Sequence, residues 1–124
     1  VLEHLATTWQ VEQDYDQSDA ALQQALALYR RLEDRGAEMR VLVNLGCNRQ
    51  FECHNDSAAA CHLAALELAR EHGLAEDYAL RNLRVLLDNV GAQELLRLCA
   101  PRLGDAGAGE LLERLQTWKE PASG

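Results

Sequence analysis

Along the chain, apolar residues recur at steps of three and four and nowhere in two-residue alternation. Leu22, Ala25, Leu26, Tyr29 and Leu32 form one such run, the spacing that gathers side chains on one face of an α-helix. Breakers and capping residues divide the pattern into seven predicted helices. The first runs from the N-terminus to about residue 13. Asp16 or Ser18 caps the second, and Gly36 ends it as a residue that tolerates the left-handed conformation. The third spans about 37–53. The Asn55-Asp56-Ser57 cluster caps the fourth, which Gly73 closes, and the fifth covers about 75–90. Gly91 turns the chain into a sixth helix that Pro101 should kink or end, because proline lacks the amide donor and crowds the preceding turn. Residues 104–109 read as a flexible break. A last helix over about 110–119 carries Leu111, Leu112, Leu115 and Trp118 on one side, and 120–124 read as a tail. No strand is predicted, and no apolar stretch approaches the ~18 residues that cross a bilayer.

One stretch carries more than periodicity. Leu42, Leu45 and Gly46, followed by Ala58 and Ala65, match the two-helix pattern W-x-x-L-G-x-x-Y, then A-x-x-x-F-x-x-A, so that this segment resembles a tetratricopeptide repeat. Arg49 and His62 stand where that family has aromatics, which loosens the aromatic packing. Leu2, Leu5, Ala6 and Trp9 repeat the first-helix pattern, with Ser18, Leu22 and Ala25 repeating the second, so Leu5 to Leu45 and Ala25 to Ala65 are both steps of 40. Leu80, Leu83, Arg84 and Leu87 give a third, weaker copy at a step of 38. Steps longer than the usual ~34 imply longer second helices.

The resemblance implies an all-α solenoid of about three helix-turn-helix repeats, near 1–36, 37–73 and 75–103, closed by the last helix as a cap. It also implies a protein- or peptide-binding module, with the ligand in a groove lined by the first helix of each repeat. Carried over residue by residue, that groove shows Glu3 and Thr7, then Arg40, Val43, Asn44 and Cys47, then Tyr78, Arg81, Asn82 and Val85. Asn44 and Asn82 occupy equivalent places, and an amide has donors and an acceptor for an extended peptide backbone; the alternative is that both bond neighbouring helices. Arg40 and Arg81 would favour an acidic side chain or terminus. The Lys-rich clamp for chaperone tails is absent, since Glu3, Thr7, Tyr78 and Asn82 stand in its places. Val1 already lies in helical phase, so the chain reads as a piece of a longer protein, a sensory or regulatory segment of a bacterial signalling or transcription protein. The other expectation is a homodimerising scaffold segment with no peptide ligand.

Composition narrows the partners. The net charge is −8 and the pI near 4.9, which argues against nucleic acid, whose phosphates demand clustered Lys and Arg. Arg supplies 11 of the 12 basic residues, a bias that suggests a GC-rich bacterial genome. Glu12, Asp14, Asp16 and Asp19 read as a solvated turn that favours a helix N-terminus. Cys47, Cys53-His54 and Cys61-His62 lie within 16 residues but lack the paired close spacing of zinc sites, so they are read as free thiols in a reducing, cytoplasmic setting and a packed histidine. No nucleophile, zinc-protease or phosphate-loop motif occurs; the Gly-rich 103–109 stretch has no preceding strand and no Lys. Glu71-His72 are adjacent on a helix and point apart. The expectation is a non-enzyme with neither cofactor nor metal.

Overall fold

The computed structural model describes residues 15–119, and five helices cover all of them but the short connections and residues 118–119: α1 (Tyr15–Arg31), α2 (Arg35–Phe51), α3 (Asn55–His72), α4 (Asp77–Val90) and α5 (Ala92–Thr117). The expected helix before residue 14, with Glu3 and Thr7, and the tail at 120–124 lie outside the described residues. No strand occurs among those described. No described helix is long and apolar enough to cross a membrane.

The turns depart from the expected punctuation in instructive ways. Gly73 (φ 64°) ends α3 and Gly91 (φ 89°) alone separates α4 from α5, both as read from sequence. Between α1 and α2, however, Glu33 takes the left-handed conformation (φ 56°), while Gly36 lies inside α2. Asp34 supplies the cap there, its carboxylate accepting from the Ala37 amide at 3.1 Å. Between α2 and α3, Cys53 (φ 63°) is the left-handed residue; His54 precedes α3 and makes no side-chain cap, so the Asn55-Asp56-Ser57 cluster does not cap the helix. Ser18 and Asp16 lie within α1 rather than at its cap.

The Gly-rich stretch gives the largest correction. The only interruption in α5 is Gly104 (φ 76°, ψ 167°), three residues after Pro101; helix resumes at once and runs through 105–109. Helical glycine costs about 1 kcal/mol against alanine. Burial of Ala108, Leu111 and Leu115 in the core offsets that cost.

Hydrogen bonds give the helix directions. Asn48 donates to Ser18 and Arg49 pairs with Asp19 at one end of α1 and α2, while Arg30 pairs with Glu38 at the other, so these two helices are antiparallel. Asn44–Tyr78 and Cys47–Asn82 advance together, so α2 and α4 are parallel. Asp56–Arg97 and Glu67–Arg102 do the same for α3 and α5. Each helix packs on the next, and α2 also meets α4 and α3 meets α5.

The closest pair is α2 with α3. Ala58, Ala59, Ala65 and Ala69 are buried along α3 together with Leu63 and Leu66, and small residues let the helix axes approach. Gly46 makes the approach possible: a Cβ there would sit 2.5 Å from His62 Cε1. Leu32, the last member of the expected α1 stripe, falls past the helix end and is 64% exposed, whereas Leu22, Ala25 and Leu26 are buried.

Candidate functional site

Because α1, α3 and α4 all pack on α2, most of its surface is buried, and only one narrow strip remains open. That strip runs Gly36, Arg40, Asn44, Cys47 and Phe51, steps of four and three along one helix face. On α4 the matching strip is Tyr78, Arg81, Asn82, Val85 and Asn89. Two depressions lie where the strips meet. One, of about 450 Å³ near the helix starts, is lined by Met39, Arg40, Asp77, Tyr78 and Arg81 with Leu74 beneath. The other, of about 220 Å³ near the helix ends, is lined by Cys47, Gln50, Phe51, Asn82, Val85 and Asn89. Since α2 and α4 are parallel and each contributes a single stripe, the depressions are two ends of one groove.

The residues expected from sequence gather there. Arg40, Tyr78 and Arg81 line the first depression, and Cys47, Asn82 and Val85 the second. Asn44 stands between them, tied to the α4 wall by the Tyr78 hydroxyl, which donates to Asn44 Oδ1 at 2.8 Å. Val43 is the exception. It is fully buried in the core, because it lies off the open strip, on the part of α2 covered by the helices packed around it. Glu3 and Thr7 lie outside the described residues.

The two amides are not equivalent. Asn82 is used on both ends, its Nδ2 donating to the Tyr78 carbonyl at 2.8 Å and its Oδ1 accepting from the Cys47 thiol at 3.2 Å. Half-buried polar atoms in a helix–helix gap need partners, and this network supplies them. Asn44 Nδ2, by contrast, makes no hydrogen bond among the described residues and remains a donor facing the groove. Phe51, Gln50 and Asn89 were missed by the repeat alignment; continuing the stripe one turn, from Cys47 to Phe51 and from Val85 to Asn89, finds them.

The electrostatics run along the groove. Arg40 is exposed and makes no ion pair or hydrogen bond among the described residues, and Arg81 stands across from it with Asp77 one turn earlier on α4. At the far end Phe51 (65% exposed) and Val85 (45%) are two of the four large apolar side chains left exposed among the described residues. Burial pushes the Cys47 thiol up to about 11, so at neutral pH it is a weak donor and not a nucleophile.

The Cys/His cluster does not assemble. All four cysteines are free, and no three Cys, His, Asp or Glu side chains come together as a metal site among the described residues. Cys53 is exposed in its turn; Cys61 lies near Arg49 and Arg102. His62 is wholly buried with both ring nitrogens unpartnered among the described residues, and desolvation lowers its pKa to about 4. Comparison with protein-family models, with curated proteins and with solved structures finds no match for the chain.

Proposed function

We propose that this chain is a tetratricopeptide-like module that captures a peptide segment of a protein partner in the α2–α4 groove. The observation that carries the reading is the groove itself: two helices one hairpin apart run parallel and present matching open stripes, with the intervening α3 packed behind them. The alternation of directions, with contacts to the next helix and the next but one, is what stacked helical hairpins produce. Small residues at Gly46, Ala58 and Ala65 lie at the closest helix approach, in keeping with the repeat pattern. Such a module works by holding a partner rather than by chemistry, and it suits a regulatory segment of a larger bacterial signalling or transcription protein. Ligand binding across two repeats would restrict their relative rotation and so reposition whatever follows.

The test is a random peptide array probed with the protein and with Val85→Glu, which places a charge in the groove wall without touching the core. Peptides bound by the parent and lost by the variant, while Lys119→Ala binds as the parent does, support the reading. An array without hits, or hits indifferent to Val85, rejects it. A second reading, self-association, draws on Leu28 and Leu32, exposed together at the end of α1. It requires a dimer mass in light scattering that Leu28→Ser with Leu32→Ser converts to a monomer.

A further inference from the structure

The two ends of the groove differ in chemistry, and the distance between them is fixed by the helices. Among the described residues that line the first end, Arg40 and Arg81 outnumber Asp77, on a chain whose net charge is −8. At the second end Phe51 and Val85 stand exposed over a depression also lined by Cys47, Gln50, Asn82 and Asn89, of which Cys47 donates a hydrogen bond to Asn82. An exposed aromatic and an exposed β-branched residue facing one hollow favour an apolar side chain, which removes their surface from water. Arg40, which makes no ion pair or hydrogen bond among the described residues, favours a carboxylate, with which it can form a charge-assisted bond.

From the Arg40 level to the Phe51 level is eleven residues of helix, roughly 16 Å at ~1.5 Å per residue, and the level of Val85, which aligns with Cys47, lies roughly 10 Å from Arg40. An extended peptide advances ~3.3 Å per residue, and its side chains alternate in direction. Residues four apart therefore share a face and lie ~13 Å apart, within side-chain reach of both ends, whereas residues five apart point to opposite sides. Midway, the unbonded Asn44 Nδ2 is placed to donate to a peptide carbonyl.

We infer that the groove selects an extended peptide with a carboxylate side chain and a large aliphatic side chain four residues apart, the carboxylate at Arg40 and the aliphatic between Phe51 and Val85. The inference rests on the proposed peptide-binding function and adds its specificity. A mixed charge–apolar motif distinguishes it from a purely apolar helix, for which the Arg40 end offers no partner.

The experiment uses blocked, fluorescein-labelled heptapeptides with Glu second and Leu sixth on an Ala-Ser background, and the same pair in reverse order. Controls carry Gln for Glu, Ser for Leu, or the pair at a spacing of five. At least one order should bind, with each control weaker by about tenfold, the scale of one charge-assisted bond or one buried aliphatic side chain. Arg40→Glu should invert the preference toward a Lys-for-Glu peptide, a gain that misfolding cannot produce. Phe51→Ser should remove the Leu-over-Ser preference and leave the Glu-over-Gln preference in place. Array hits that lack the acidic–aliphatic pattern, or an Arg40→Glu variant with unchanged charge preference, overturn the inference while leaving peptide capture standing. Absence of any array binding removes both.

Discussion

His62 makes the stability of the domain depend on pH in a defined window. The imidazole is fully buried beside Gly46, neither nitrogen has a partner among the described residues, and desolvation holds its pKa at about 4 against an ordinary 6.5. Below pH 6.5 the unfolded chain takes up a proton that the folded chain refuses until about pH 4. The unfolded state thus binds more protons across that interval, so stability rises with pH through it and is flat above. At about 1.4 kcal/mol per pH unit, the loss reaches about 2 kcal/mol at pH 5 and about 3 kcal/mol below pH 4. That is a large part of the ~5–15 kcal/mol typical of a small domain. His62→Phe keeps a ring in the site and removes the titration. Its packing effect is the same at every pH, and the two proteins differ in no other ionisable group, so the comparison isolates one proton. Urea unfolding followed by circular dichroism at pH 7.5 and pH 5.0 should show the parent losing about 2 kcal/mol more than the variant. Parallel pH profiles would refute the assignment of a neutral, desolvated imidazole.

Other positions give independent tests. Gly46→Ala drives a Cβ to within 2.5–2.9 Å of the His62 ring and should cost about 1–3 kcal/mol in urea unfolding, with most of that recovered in the double variant carrying His62→Ala. Asn48→Ala leaves the buried Ser18 hydroxyl without the amide that donates to it and should cost about 1–3 kcal/mol by the same assay. Glu33→Gly relieves a left-handed residue and should stabilise by about 0.5–1 kcal/mol, net of the unfolded-state entropy glycine adds. At pH 7.5, iodoacetamide followed by peptide mass mapping should label exposed Cys53 first, with Cys47 and Cys99, both pushed up to about 11 by burial, labelled last.

What could be read from sequence follows from what each signal measures. The all-helical class and the ends at Gly73 and Gly91 were legible because periodicity and glycine punctuation report local preference directly. Glu33 and Cys53 were not, since nothing in either side chain announces a left-handed backbone; the packing of α1, α2 and α3 imposes it. Residues 105–109 were misread because glycine counts weigh helix propensity, and the burial of Ala108 outweighs it. The groove stripe came from aligning Leu45 with Leu83, which places Arg40, Asn44 and Cys47 opposite Tyr78, Arg81, Asn82 and Val85. The burial of Val43 and the unequal roles of Asn44 and Asn82 depend on how many helices surround α2, a number the repeat pattern does not carry.

The same crowding of α2 separates the residues that shape the groove from those that would read a ligand. Tyr78, Asn82 and Cys47 spend their hydrogen-bonding groups on one another and on Asn44, so they fix the α2–α4 spacing before any ligand arrives. A wall set in advance spares a ligand the cost of ordering it. Arg40, Phe51 and Val85 project beyond that network and are exposed, so their replacement should change which peptide is preferred with little effect on stability. Tyr78→Phe should do the opposite: it removes the hydroxyl that holds Asn44 Oδ1, loosens the wall and weakens every bound peptide by a similar factor. Comparing the rank order of array hits for Val85→Ala and Tyr78→Phe distinguishes the roles. A reordered list for Tyr78→Phe, or a uniformly dimmed one for Val85→Ala, would show that framework and recognition are not divided in this way.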